Sequence, residues 1–586
     1  MSFTQKHQPK QSAGSALSGR NTASSWFGWL YAVVFTVVPI GLVAWAWAGN
    51  AVNVPKWDDH ALKTFLLDLE QETSPLGWFR QVVKQHNEHR IAYDRLLTWA
   101  DYSVFGKLSF RRLMIYGDLS LLALVALFGW FLSRYIKQWY LFLPPVVLLI
   151  ISLAHWENLY WALSSIQNFS IVVWSLACLY ALSHNRRVWV PIGLAIAATL
   201  VSGNGFLVWP IGFVLLLFQR RFQVLLPWSL AAISLIALYF GDYVQPTTNP
   251  PVRGSLLDLA GGFLAFLGAA IEALPIARPY FFSMLLGGIL LLFWGLILVR
   301  SVAVFQRKKG WTPLQAFGFG ALAFVVGTAV VVVWGRFGYG QETLLTSRYR
   351  IYSLTLLALT YTYCLSALYK NRNISPKAAW SFALAGLAVS GLLWWSAFTL
   401  NAHESIALRK SLLTMQYNWT YTTNQPVSTI DDTTRRLIDN SPAFYDAALP
   451  TYFQPGQGQP FPIDTLYKAG QAYIIRLHTD STMVTPTLSQ PDAGLNIVLR
   501  SAKRTFLFGA LPAPRRHWRV LLNWLPLYPD DQPIDVVIPM NEIDAGTYEV
   551  AVVQYSPDQP KGIVRPTNQL LTAAPHQLAT GPAKNW

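Results

Sequence analysis

The chain has 586 residues, 53% of them hydrophobic and 13% charged, against roughly a quarter charged in an average soluble domain. Its 25 Trp exceed what a water-soluble core needs, so a large part of the chain has to lie in lipid. The formal charge of +16 raises nucleic-acid binding as a class, whereas Cys178 and Cys364, both inside apolar runs, exclude a disulfide framework and a thiolate metal site.

Apolar runs lie near 26–48, 113–132, 139–154, 169–183, 188–201, 206–218, 224–241, 280–299, 314–334, 351–369 and 379–399. At about 20 residues per span they predict an α-helical polytopic membrane protein with about eleven transmembrane helices. The runs at 188–201 and 206–218 are short and joined only by Ser202-Gly203-Asn204-Gly205, which predicts a tight hairpin of two half-buried helices. With the N-terminus inside, the cytoplasmic segments are 1–25, 133–138, 184–187, 219–223, 300–311 and 370–378. These carry sixteen Lys and Arg and no Asp or Glu. The rest of the chain up to 399 holds fourteen basic and fourteen acidic residues, and the region from 400 onward fifteen of each. The whole +16 is therefore the positive-inside signal, and nucleic acid loses its support as a partner. An odd number of spans before residue 400 puts the C-terminus outside, as in an integral protein of a bacterial inner (plasma) membrane.

Residues 1–25, rich in Ser, Gln and Gly, are expected to be a disordered cytoplasmic tail. The run at 26–48 is too long for a cleaved signal and reads as a retained anchor. Residues 26–400 form the transmembrane domain, with a first outer loop at 50–112. Two amphipathic helices or one are expected there around Phe79 to Trp99, lying along the membrane. Residues 255–275 are apolar enough to span. They contain adjacent glycines, Asp258 and Glu272, and a crossing would put Arg300, Arg307, Lys308 and Lys309 outside, so they read as an interfacial or re-entrant helix. A helical connector is expected over 401–455, with a helix from Ser428. Strands are expected at 472–477, 495–499, 504–508, 534–538 and 548–553, with a turn at Asp544 to Tyr548 like the one that opens the Tyr-bearing strand of an immunoglobulin-like fold. These predict an extracytoplasmic β-sandwich over 456–570 and a flexible tail over 571–586.

The candidate chemistry clusters in the outer segments. The first outer loop opens with Pro55-Lys56-Trp57-Asp58-Asp59-His60. Adjacent acids repel, so such a pair suits a general base or a metal ligand; a solvated helix N-terminus is the plain alternative. His86-Asn87-Glu88-His89-Arg90 follows, where the two histidines and Glu88 would need a third, separate ligand to hold zinc. A second outer loop, 155–168, carries His155 and Glu157, the latter the lone acid between residues 119 and 241. A single acid at the mouth of a bundle is a candidate for a metal or substrate carboxylate. Arg336, Arg348 and Arg350, the last two flanking Tyr349, run against the positive-inside trend, which predicts an anionic partner such as a phosphate or a lipid headgroup. No Walker or dinucleotide-binding loop is present.

The uncleaved first helix, the acidic pair Asp58-Asp59 opening a long outer loop, the acid Glu157 after the third span, the outer Arg348-Tyr349 element and the outer C-terminal domain together resemble the GT-C superfamily. These are polyprenyl-phosphate-sugar-dependent membrane glycosyltransferases, a class that includes O-mannosyltransferases and aminoarabinose transferases. The resemblance covers about 26–400. It implies a sugar transferase with inversion, a polyprenyl-phosphate donor and a glycan, glycolipid or protein acceptor, with membrane lipids as further partners. It implies Asp58 as the base and Asp59 as its orienter or a metal ligand. Arg348 would bind the lipid phosphate, with Tyr349, Arg336, Glu88, His89, Arg90, Glu157 and His155 around the substrate. A divalent metal (Mg or Mn) on Asp59 and Glu157 is in keeping with the family, although the first loop lacks an Asp-x-Asp. The rival classes are an envelope polysaccharide polymerase or ligase, which usually places its largest outer loop late, and a lipid or saccharide transporter or flippase. Coupled transport wants ionisable groups near the midplane, where Asp118 is nearly alone.

Overall fold

The computed structural model describes residues 20–184, 187–245, 251, 254–305, 310–371, 374–420, 437, 460–478, 484–529, 532–556 and 562–575. Among these residues, nine helices are long and apolar enough to cross a membrane. The first is α1 (Arg20–Asn50), whose exposed Trp29, Val33, Val37 and Trp45 present an apolar surface suited to lipid. The helix expected from Ser428 and the tail before Arg20 lie outside the described residues.

Three helices fill the first outer loop: α2 (Asp59–Glu70), α3 (Pro75–Val83) and α4 (Ala92–Phe105). Helix α3 starts where Ser74 Oγ accepts the Gly77 N–H at 3.0 Å, with Pro75 at the first position, where no donor is missed. Helix α4 ends at Gly106, whose φ of +70° favours a residue without Cβ. Arg112 at the start of α5 (Phe110–Ser133) then forks onto both oxygens of Asp101 at 2.9 Å each, pinning the loop to the bundle.

The third apolar run is a broken helix. Pro144 and Pro145 open α6 (Leu143–Ile150), which ends short, and a turn capped by Ser152 leads into α7 (Trp156–Leu159). Helix α8 (Ala162–His184) begins at once. The loop expected over 155–168 is therefore mostly helix, and Ser164 and Asn168 form a polar stripe at i and i+4 near the N-terminal end of α8.

The short hairpin appears as α9 (Trp189–Val201) and α10 (Val208–Phe218), joined by a 3₁₀ turn over Gly203–Leu207 and followed by α11 (Phe222–Phe240). Residues 255–275 divide into the 12-residue helix α12 (Leu256–Leu267), with a Ser255/Asp258 capping box, and a 3₁₀ turn, Ala269–Ala273. As a helix of 12 residues, α12 falls short of the about 20 that a span needs. Helices α13 (Pro279–Phe305), α14 (Pro313–Arg336), α15 (Arg350–Asn371) and α16 (Pro376–Leu400) complete the bundle, and α17 (Ala402–Thr420) leads away from it.

Among the described residues, seven strands follow in two antiparallel sheets. One has the order β1 (Ile463–Ala469), β2 (Ala472–Leu477), β5 (Ile534–Pro539). The other has the order β4 (Thr505–Ala510), β3 (Gly494–Arg500), β6 (Gly546–Tyr555), β7 (Ile563–Ala573). Ile475, Leu477 and Ile538 from the first sheet share one core with Ile497, Phe506 and Val552 from the second. Tyr548 Oη donates to the Asp544 carbonyl at 2.9 Å, closing the turn expected there. Strands β1 and β7 went unpredicted, and β7 runs through Ala573, so the expected flexible tail begins no earlier than that residue. The edge of β4 is covered by α17: Asn418 Nδ2 donates to the Leu507 carbonyl at 2.8 Å and its Oδ1 accepts the Leu507 N–H at 2.7 Å.

Candidate functional site

A cavity of about 230 Å³ opens among the N-terminal end of α8, the C-terminal end of α14, the turn before α10, the turn before α15 and the segment between α1 and α5. Of the residues singled out from sequence, it gathers Asp58, Glu88, His89, Arg336, Arg348 and Tyr349. Asp59, Arg90, His155 and Glu157 do not line it.

Asp58 sits just before α2, with its carboxylate half-exposed and 3.8 Å from His86 Nε2. The His86 ring, reinforced by Arg348 and Arg336, holds the Asp58 carboxyl below its usual range in spite of partial burial, so it is ionised at neutral pH. Asp59 points the other way. It is fully buried, and its Oδ2 and Oδ1 accept the backbone N–H groups of Lys56 (3.0 Å) and Leu163 (2.7 Å). Burial pushes this carboxyl up to about 7 against those two hydrogen bonds. The acidic pair thus splits: Asp58 faces the cavity and Asp59 staples its segment to the start of α8.

Glu157 lies behind Arg348. Its Oε1 accepts Lys56 Nζ at 3.0 Å, and its Oε2 accepts Ser347 Oγ at 3.3 Å and lies 3.5 Å from Arg348 Nε. Lys56 is buried with it, and the ammonium stands 4.6 Å from the ring centres of both Trp57 and Trp161. Burial pulls the Lys56 amine below its usual value, opposed by Glu157. The Arg348 guanidinium lies over the Trp161 and Tyr349 rings at 5.4 and 5.8 Å, and its two terminal nitrogens make no hydrogen bond to the protein among the described residues. Arg336 is engaged by Glu88, with Nη2 and Oε1 3.3 Å apart.

His89 is partly buried, and its desolvation holds the imidazole below the usual range; its Nδ1 accepts the Gly203 N–H at 3.3 Å. A Cβ on Gly203 would stand 2.8 Å from that nitrogen, which accounts for glycine in the hairpin turn. His86 and His89 exchange backbone hydrogen bonds of 2.7 and 2.9 Å across a turn with Asn87 at φ +47°.

Two expected site residues have structural roles away from the cavity. Arg90 is buried, ion-paired with Asp242, and gives Nε to the Tyr239 carbonyl at 2.8 Å, so it fastens its loop to the end of α11. His155 is buried against Phe169, ring centres 5.7 Å apart, outside the cavity. Arg336, Arg348 and Arg350 each also have a carboxylate of the chain beside them: Glu88, Glu157 and Glu272, the last joined by Arg516 of the strand region at 3.2 Å.

The metal candidates do not fit an ion. Both Asp59 oxygens take backbone N–H groups, and Glu157 is already neutralised by an ammonium and a guanidinium. Among the described residues no group of three or more His, Cys, Asp or Glu is placed to hold a metal. The sequence reading passed over Lys56, Trp161, Asn168 and Asn204. Asn204 carried a usable signal, a polar amide inside a four-residue link between two apolar helices. Compared with known proteins, the chain matches no family model, no curated protein and no solved structure.

Proposed function

We propose that this chain is a membrane glycosyltransferase that moves a sugar from a polyprenyl-phosphate carrier to an acceptor on the outer side of a bacterial inner membrane. The observation that carries the reading is the cavity itself, where the ionised Asp58 carboxylate and the unengaged end of Arg348 face one space. In the proposed step the acceptor hydroxyl oxygen attacks the anomeric carbon as its proton passes to Asp58. The bond from that carbon to the phosphate oxygen breaks with inversion, and its electron pair leaves on the phosphate. The negative charge grows where Arg348 can meet it, with Arg336 nearby. Glu157 and Lys56 act as positioning residues: Glu157 holds the Nε side of Arg348, so the terminal nitrogens turn to the ligand, and Lys56 offsets the charge of Glu157. No step requires a metal bound to Asp59 or Glu157.

The same reading takes α9 and α10 as two further, short spans beside the nine long ones, giving eleven, with the N-terminus inside and the C-terminus outside. It takes the two sheets as a β-sandwich accessory domain. The acceptor is a glycan, a glycolipid or a protein.

The test is transfer from lipid-linked sugar donors by the purified protein in liposomes. Asp58→Asn keeps the volume and removes the basic oxygen, and is expected to lower turnover by about 10²- to 10⁴-fold with donor binding retained. Arg348→Lys keeps the charge and loses the fork, and is expected to cost about a hundredfold in donor use. Arg300→Lys, on the cytoplasmic side, serves as the silent control. Full activity in both site variants would remove the reading.

A further inference from the structure

The cavity has a second wall that the charged groups leave unused. It is formed by the outer end of α8 and the turn between α9 and α10. Asn204 is 9% exposed and lines the cavity. Its Nδ2 donates to Tyr352 Oη at 3.0 Å and to Thr328 Oγ1 at 3.3 Å, while its Oδ1 has no hydrogen-bond partner among the described residues. Leaving a buried carbonyl oxygen unpaired is costly, so a donor from outside the chain would be favoured there. Asn168 repeats the pattern: its Nδ2 donates to Ser164 Oγ at 2.9 Å and Asn158 Oδ1 at 3.2 Å, and its Oδ1 makes no hydrogen bond among the described residues. One amide is fixed from α14 and α15, the other from α8, and each is held by its nitrogen end.

We infer that this wall binds the sugar ring of the donor, with Asn204 Oδ1 accepting a hydroxyl of a neutral sugar. The inference rests on the glycosyltransferase reading and names the part of the substrate that the arginines do not hold. Hydroxyls are the matching chemistry because the wall offers neutral acceptors and no charge. Neither amide carries a charge to attract a cationic amino sugar; of the two carboxylates that line the cavity, Glu88 is paired with Arg336, and Asp58, which the proposed step keeps for the acceptor hydroxyl, stands beside His86 and not on this wall.

The test is calorimetric titration of the purified full-length protein in nanodiscs with inorganic phosphate, a neutral hexose 1-phosphate and a 4-amino-4-deoxy sugar 1-phosphate. The hexose 1-phosphate is expected to bind about tenfold more tightly than phosphate, and the amino sugar no better than the hexose. Asn204→Ala is expected to remove most of that gain while phosphate affinity stays within about twofold. Equal affinities for phosphate and hexose 1-phosphate in the parent, or an undiminished gain in Asn204→Ala, would overturn the inference and leave the phosphate site standing. If phosphate fails to bind the parent, the glycosyltransferase reading falls and takes this inference with it. Should Asn204→Ala lose phosphate binding as well, Asn168→Ala decides: a reduced sugar gain with phosphate binding intact supports the wall, and an unchanged gain overturns it.

Discussion

Two adjacent aspartates with opposite fates show how far a side chain's environment outweighs its identity. Asp58 keeps its charge because the His86 ring, with Arg348 and Arg336 nearby, favours the carboxylate; Asp59 loses solvent entirely and its carboxyl rises to about 7. The sign of the consequence follows from linkage. In the unfolded chain Asp59 titrates near 3.8, so below about pH 4 both states hold the proton and burial carries no charge penalty. As pH rises through about 7 the folded protein must ionise a buried group, and stability is lost across that window, on the order of a few kcal/mol when complete. Asp59→Asn removes the titration, at the cost of one of two backbone hydrogen bonds. Thermal unfolding in detergent at pH 5 and pH 8 is expected to show a smaller pH difference for Asp59→Asn than for the parent. An equal difference in both would show that the titration lies elsewhere. Sequence made the pair visible and not the division, because which carboxylate turns inward depends on where Leu163 of α8 arrives. The outer arginines were legible as a group for the same reason that their partners were not. Charge against the topological trend is a local signal, whereas Glu88, Glu157 and Glu272 reach them from other parts of the chain.

At the scale of elements, nine of the eleven apolar runs coincide, among the described residues, with helices long and apolar enough to cross a membrane, since lipid imposes one length on every crossing. Run length did not show the break between α6 and α7, nor that α8 begins at Ala162, ahead of the run at 169–183. The α12 segment shows what sets such an exception in place. A Cβ on Gly268, just past α12, would stand 2.0 Å from the Ser283 carbonyl oxygen of α13, and one on Gly287 would stand 2.0 Å from the Leu264 carbonyl oxygen. The two backbones therefore touch, in the manner of small residues at membrane helix crossings. Gly288, one residue on, would meet nothing within 4 Å. Gly287→Ala is expected to force α12 away from α13, with a loss of about 1–3 kcal/mol or more, while Gly288→Ala is neutral or mildly stabilising through better helix propensity. Melting temperature and detergent-solubilised yield compare the two; equal behaviour would mean that the crossing yields more easily than its backbone contact implies.

For the whole molecule, the strand region is fastened to the helices by several independent ties. Arg409 forks onto Asp492 at 2.8 and 2.7 Å, Asn418 pairs with both backbone groups of Leu507, and Arg516 reaches Glu272. Whatever side of the membrane the strands occupy, the end of α16 and the Arg350–Glu272 pair must occupy it too. The charge distribution predicts that side. Segments taken as cytoplasmic hold all of the excess positive charge, and Arg220, exposed in the turn between α10 and α11, is one of them. Lys468 is exposed on β1, in a region with equal numbers of acidic and basic residues, which is expected outside. Single cysteines at these positions report the assignment directly, because native Cys178 is buried and Cys364 can be changed to Ser as a background control. In intact cells, Lys468→Cys is expected to react with a membrane-impermeant maleimide, and Arg220→Cys only after the membrane is opened. The reverse pattern would place the cavity, the Arg348 element and the strand region in the cytoplasm together. A positive-inside count of sixteen to none would then have to be explained by some force other than orientation, and an outer-face sugar transfer would be lost with it.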